Sequence, residues 1–174
     1  GMKNFSNTYI LLLSAIMAVV VASGLSVVVL YLQPIQEKNI NLNNKQNILL
    51  SLNIESTKEN ALQKYDKYII HNYVLNAEGE KIKGVDAFLV NLSKEMSKPM
   101  EKRKLPIFVA SVENSRKYII PARGKGLWGP IWGYIALNDN FNTIYGAYFG
   151  HESETPGLGA QITTRQFQKQ FIDK

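Results

Sequence analysis

The chain has 174 residues, 45% hydrophobic and 20% charged, with 20 Lys+Arg against 14 Asp+Glu and no cysteine. That length suits one globular domain with a real core, and the composition excludes disordered, collagen-like and disulfide-scaffold classes. Without cysteine there is no thiolate nucleophile, iron–sulfur cluster, Cys-ligated zinc or disulfide, and two His argue against a multi-histidine metal or haem site. A net charge of +6 singles out no partner.

Tyr9 to Leu32 is a run of 24 residues without a charge, dominated by Leu, Val, Ile and Ala. At about 1.5 Å per residue it predicts a helix of roughly 36 Å, enough for a hydrocarbon core of about 30 Å. Tyr9 and Tyr31 fall at its ends, where interfacial aromatics belong. A cleaved signal peptide has an apolar region of only about 7–15 residues and a small-residue cleavage site, so a retained anchor is the better reading. The expected organisation is a tail over 1–8, a transmembrane helix over 9–32 and one body over 33–174. Lys3 and the amino terminus flank one end, while Glu37 and Lys38 cancel at the other. The positive-inside rule therefore favours an extracytoplasmic body.

Within the body, Asn39 to Ile54 predicts a helix with Ile40, Ile48, Leu49 and Leu52 on one side. Thr57 to Ile70 predicts a second, with Ser56 as N-cap and Glu59 completing a capping box. Asn76 to Gly79 is turn chemistry, and His71 reads as structural. Val85 to Ser97 predicts a third helix through Val85, Phe88, Leu89, Leu92 and Met96. The period then changes. Pro106 to Val112, Lys117 to Ile120, Ile131 to Leu137 and Thr143 to Phe149 are β-rich, the last two joined as a hairpin by Asn138 to Asn142. Thr164 to Lys174 restarts a helix, with Phe167 and Phe171 paired at i,i+4. Helices followed by mostly antiparallel strands give an α+β fold, an antiparallel sheet flanked by helices.

Lys94, Lys98, Lys102, Arg103 and Lys104 form a basic cluster, but Glu95 and Glu101 interleave with it and no stacking aromatics accompany it. A solvated helix face and loop, rather than a nucleic-acid surface, is the expectation. Glycine is more informative: eight of the twelve lie within the 36 residues from Gly124 to Gly159. Glycine permits positive φ and close approach of backbone to a ligand. Arg123 to Trp128 sets cations and small residues beside a large aromatic, and two readings stand. Either it seats a planar or anionic ligand, or it is a pair of tight turns with Trp128 in the core. His151 to Gly159 reads as a loop at a strand end exposing backbone N–H groups. The spacing of His151, Glu152 and Glu154 is not that of a His-Glu-x-x-His zinc site.

Three segments together carry a resemblance: Gly124-Lys-Gly-Leu-Trp-Gly-Pro-Ile-Trp-Gly-Tyr-Ile-Ala-Leu137, Thr143-Ile-Tyr-Gly146, and His151-Glu-Ser-Glu-Thr-Pro-Gly-Leu-Gly159. They resemble the FMN-binding domain of the NqrC family, one of the subunits of the bacterial Na+-translocating NADH:quinone reductase. The single anchor followed by Asn44-Lys-Gln-Asn-Ile-Leu-Leu50 fits the same family. Glu-Thr-Pro-Gly-Leu-Gly is shared with the related RnfG subunit of the ion-translocating ferredoxin:NAD oxidoreductase, and Gly-Lys-Gly-Leu-Trp favours NqrC.

The resemblance implies a flavin electron carrier. Its body would lie on the periplasmic side of the bacterial inner membrane, among the other subunits of the complex. It implies FMN held by phosphoester to a threonine in a Ser/Asp-Gly-Ala-Thr-x-Ser/Thr motif, installed by a flavin transferase. On motif match, Thr155, Gly157, Leu158 and Gly159 would supply backbone donors and an apolar contact. Glu154 would orient the loop or face the ring edge, and Gly126, Leu127 and Trp128 would form the opposite wall. No Gly-Ala-Thr triplet occurs, and only 15 residues follow Gly159. The expectation is a C-terminally incomplete member without covalent FMN, inactive by itself. Outside this class, a membrane-tethered sensor or binding module, or a scaffold that still docks the membrane partners, also fits the residues.

Overall fold

A computed structural model describes residues 6–174. Residues 1–5 of the expected tail, including Lys3 and its orientation signal, lie outside the described residues. The chain divides into two compact units, Gly1–Asn41 and Leu42–Lys174.

In the first unit the described residues from Asn7 onward belong to a long helix. α1 (Asn7–Ser51) is continuous through Pro34, so the two predicted helices over 9–32 and 39–54 form as one. Pro34 lacks the N–H that would bond one turn back, and the helix carries it within its length. This helix is long and apolar enough to cross a membrane, and its apolar window is entirely unburied by the rest of the chain.

The second unit begins inside α1, whose last turns are core. Ile48 and Leu49, together with Leu52 just past the helix, are at most 1% exposed. The helix stops on a left-handed Asn53 (φ 61). Ile54 N–H bonds Leu49 O and Asn53 N–H bonds Leu50 O, each at 3.0 Å. This is the paired-bond C-terminal motif in which an αL residue satisfies the orphan carbonyls. Asn53 Nδ2 then donates to Tyr145 O at 3.2 Å.

The remaining helices are short. α2 (Ala61–Tyr68) starts four residues later than expected. Ser56 does not cap it: the Ser56 hydroxyl is buried without a partner, and Asn60 Oδ1 instead accepts from Thr57 N–H at 2.8 Å. The predicted third helix over 85–97 divides into a 3-10 turn (Ala87–Leu89) and α3 (Leu92–Met96). Asp86 Oδ1 accepts from Phe88 N–H at 2.9 Å and Asn91 Oδ1 from Lys94 N–H at 3.2 Å. Each Asx side chain starts its own cap, which competes with a continuous helix. A further 3-10 turn spans Met100–Lys102.

Six strands form one antiparallel sheet: β1 (Ile69–Leu75), β2 (Lys81–Ile82), β3 (Leu105–Val112), β4 (Ser115–Lys125), β5 (Pro130–Leu137) and β6 (Ile144–His151), in the order β2-β1-β3-β4-β5-β6. The α+β architecture expected from the sequence is therefore the one observed. β1 and β2 depart from that expectation. Ile69 and Ile70, expected to end the second helix, open β1 instead, and His71 sits in this strand, exposed. One sheet face carries Val74, Phe108, Ala110, Ile119 and Ala136 against Ile48, Leu49 and Leu52. Residues on alternate positions point the other way. There Phe149 meets Phe167 and Phe171, with centroids 6.2 and 5.1 Å apart, from a C-terminal segment of a 3-10 turn (Gly159–Thr163), α4 (Arg165–Gln168) and a last 3-10 turn (Lys169–Phe171).

Candidate functional site

The two glycine-rich segments meet at one end of the sheet. β4 and β5 stay paired out to Lys125↔Pro130, and Gly126 N–H bonds Gly129 O at 2.7 Å. Leu127 and Trp128 are thereby left at a hairpin tip, 81% and 66% exposed. The segment is a tight turn, as one reading had it, but Trp128 is not in the core. Gly124 and Lys125, expected in the loop, belong to the strand.

The second segment leaves β6 after His151, which pairs with Ile131, and Glu152 N–H continues to Pro130 O at 3.1 Å. The chain then folds back over the hairpin tip. Thr155-Pro-Gly-Leu158 closes with Leu158 N–H on Thr155 O at 3.1 Å, and Gly157 has φ +78°. Proline second and a positive-φ glycine third define a type II turn. It leaves Leu158 73% exposed, beside Pro156 and the exposed Thr155. Among the described residues no hydrogen bond reaches the N–H of Thr155 or Gly157.

Side chains clasp the two segments together. Glu154 is only 9% exposed, and its Oε1 accepts from Trp128 N–H at 3.0 Å. Ser153 Oγ donates to Trp128 O at 3.0 Å. His151 Nδ1 accepts from Glu154 N–H at 3.2 Å, which places the ring proton of a neutral His151 on Nε2. The glycines make room for this clasp. A Cβ on Gly126 would overlap Glu154 Oε1, one on Gly129 would overlap Ser153 Oγ, and one on Gly159 would press on Glu154 Oε2. All eight residues singled out in the sequence (Gly126, Leu127, Trp128, Glu154, Thr155, Gly157, Leu158 and Gly159) thus lie in one loop pair. Sequence reasoning missed Ser153, Gly129 and the use of His151 as an acceptor.

The basic cluster lies elsewhere and is used structurally in part. Arg103 donates through Nε to Lys98 O at 2.9 Å and through Nη2 to Met96 O at 3.1 Å. Lys98 Nζ bonds Glu95 Oε1 at 2.7 Å.

The loop pair presents an exposed indole and leucine, bare backbone donors and open space at Gly157. This suits a planar ligand with acceptor atoms on its edge. Comparison with known proteins gives a concordant answer. Residues 126–174 match the FMN-binding domain family. Over 59 residues the chain is 52% identical to NqrC, the Na(+)-translocating NADH-quinone reductase component, of Chlamydia caviae, an alignment covering 34% of this chain and 18% of that protein. Over 191 residues it is 30% identical to the protein of the same name from Neisseria meningitidis serogroup A, covering 98% of this chain and 72% of that protein. The crystal structure of the NqrC protein from Parabacteroides distasonis superposes with a TM-score of 0.76 at 40% identity, over 82% of this chain and 69% of that one. The chain spans less than two thirds of the length of the chlamydial relatives it matches, 18% and, for Chlamydia muridarum, 34%.

Proposed function

The chain belongs to the NqrC family of Na(+)-translocating NADH-quinone reductases, and from that premise we propose that it is a flavin electron-carrier subunit of such a complex. The observation that carries the proposal is the clasped loop pair. Trp128 and Leu158 stand exposed on the two loops, and the N–H groups of Thr155 and Gly157 are free to donate.

The residues present fit FMN. A flavin ring needs an apolar platform, donors for its edge and close backbone approach, and Gly157, where a Cβ would meet nothing within 4 Å, leaves space for that approach. When bound, FMN supplies stepwise single-electron transfer. The protein's part is to hold and orient: Leu127 and Trp128 form one wall with Gly126, and Leu158 forms the other with Gly157 and Gly159. The backbone of Thr155 and Gly157 donates, and Glu154 steadies the loops. No acid, base or nucleophile is required of the chain. The sequence contains no Gly-Ala-Thr triplet, so the loop pair is assigned as site walls and not as the point of covalent attachment.

The apolar part of α1 serves as a single membrane anchor, with the body on the periplasmic face of the inner membrane, among the other subunits of the complex. A flavin transferase is the further partner that covalent loading requires. The experiment is to express the native gene to its own stop codon together with a flavin transferase, and to follow intact mass and in-gel fluorescence. A fluorescent band heavier by one FMN supports the carrier role. A colourless product of unmodified mass that also fails to bind added FMN overturns it.

A further inference from the structure

We infer that Glu154 is a positioning residue, whose carboxylate acts on the backbone of Trp128 and not on the flavin. The inference rests on the loop pair being the flavin site, and it concerns how that site is kept in shape.

Exposure separates Glu154 from its surroundings. The side chains around it, Leu127, Trp128 and Leu158, are 66–81% exposed, whereas Glu154 is 9% exposed. Its carboxylate is turned inward between the two loops. Oε1 takes the Trp128 N–H at 3.0 Å, and the Cα hydrogens of Gly126 and Gly159 fill the space where any side chain would strike Oε1 or Oε2. Burying a carboxylate is costly unless it is paired and hydrogen-bonded. Among the described residues no lysine or arginine forms an ion pair with it; Lys98–Glu95 is the ion pair found there. The hydrogen bond to a main-chain N–H therefore defines what this carboxylate does. Ser153 secures the carbonyl of the same residue at 3.0 Å, so Trp128 is gripped at both of its peptide groups. A two-residue tip bearing a large exposed ring would otherwise move freely against the turn at Thr155–Leu158. The clasp fixes the distance between the two walls before any ligand arrives, which is preorganisation in the usual sense.

The geometry makes a chemical distinction between substitutions. Glu154→Gln keeps an oxygen acceptor of the same reach and removes the charge. Glu154→Ala removes the acceptor, and Glu154→Asp shortens it by one methylene. If the role is positioning, glutamine retains function and alanine and aspartate do not. If the carboxylate meets the flavin by its charge, glutamine fails with the others.

The test uses the full chain in detergent micelles and has two independent readouts. The first is hydrogen exchange of the Trp128 amide in a nitrogen-15-labelled sample. The second is titration with free FMN, followed by quenching of flavin fluorescence. Exchange at Trp128 is expected to rise about tenfold or more in Glu154→Ala, the scale of a lost hydrogen bond to a charged group, and to stay within about threefold of the parent in Glu154→Gln. FMN affinity should follow the same order, while the urea midpoint of the body stays unchanged in Glu154→Gln. Unchanged Trp128 exchange in Glu154→Ala overturns the inference, as does a glutamine variant as impaired as alanine. Should the parent chain bind no FMN, the flavin reading fails while amide exchange still decides the role of Glu154.

Discussion

Glycine does four different jobs in this chain, and the distinction is made one residue at a time. Gly157 supplies a positive φ in a type II turn, and Gly126, Gly129 and Gly159 make room for the Glu154–Ser153 clasp. Gly133 and Gly150 accept the rings of Phe149 and Trp132. Gly146 lets the end of α1 sit directly on β6, since a Cβ there would overlap Ser51 O and crowd Asn53. Because backbone and not a flexible side chain occupies that space, Gly146→Ala is expected to destabilise the body by about 1–3 kcal/mol, as overpacking does. Urea unfolding measures it, and an unchanged midpoint would show that the α1 end moves freely on β6. Of the eight glycines crowded into one stretch, five (Gly124, Gly126, Gly129, Gly157 and Gly159) lie at or next to the loop pair. Nothing in the sequence separates these from the packing glycines, because the difference lies in the neighbour each one meets.

α1 combines two physical characters within one continuous helix. Its Tyr9–Leu32 stretch is apolar on all sides, as a segment solvated by lipid is. Its last turns present Ile48 and Leu49 to the sheet, where both are 0% exposed. Leu49→Ala is expected to cost the body about 2–5 kcal/mol, the range for truncating a fully buried leucine. Leu11→Ala, 71% exposed in the apolar stretch, should leave the urea midpoint of the body where it was. Equal shifts in the two variants would overturn this division of α1. Local sequence signals fared unevenly at this scale. The β5–β6 hairpin was legible because Asn138 to Asn142 is turn-forming and strongly bounded. The break at Asp86 and Asn91 was not, because the apolar spacing through Phe88, Leu92 and Met96 fits an unbroken helix equally well. β1 escaped notice because its burial does not alternate, and Ile69-Ile70 continues the apolar side of α2.

Across the body, buried tyrosine hydroxyls and the Glu95 carboxylate shift how stability responds to pH. Burial pushes the Tyr134 hydroxyl up to about 12, with Tyr148 beside it adding to the shift. Burial likewise raises Tyr65, with Asp86 contributing. A group whose pKa is higher folded than unfolded favours the native state fully below its unfolded value, about 10 for tyrosine, and loses that contribution as pH rises through the folded value. Glu95 has the opposite sign. The hydrogen bond from Lys98 holds its carboxyl below the usual range, with Lys104 N–H also bonded to it. Its contribution is present above the unfolded value, about 4.3, and is lost as pH falls below that. The urea midpoint is therefore expected to be flat near neutrality, to fall above about pH 10 as tyrosinate absorbance grows, and to fall again below about pH 4. A midpoint that holds from about pH 8 to about 11.5 would mean that these hydroxyls, with an ordinary value of about 10, reach solvent in the native state.

By itself the sequence determined the apolar anchor-length segment, the α+β class, most of the sheet and the two loops that carry the family signature. Each of these is written in near neighbours, by hydrophobic period, turn chemistry or contiguous motif, and so survives without knowledge of the fold. Only the tertiary structure decided that the helices expected over 9–32 and 39–54 form one continuous α1, that Trp128 stands outside the core, and that Glu154 reaches 26 residues back along the chain to hold the Trp128 amide. Those outcomes depend on which surfaces meet once the sheet has formed, and burial and hydrogen-bond partnership between distant residues leave no local trace in sequence.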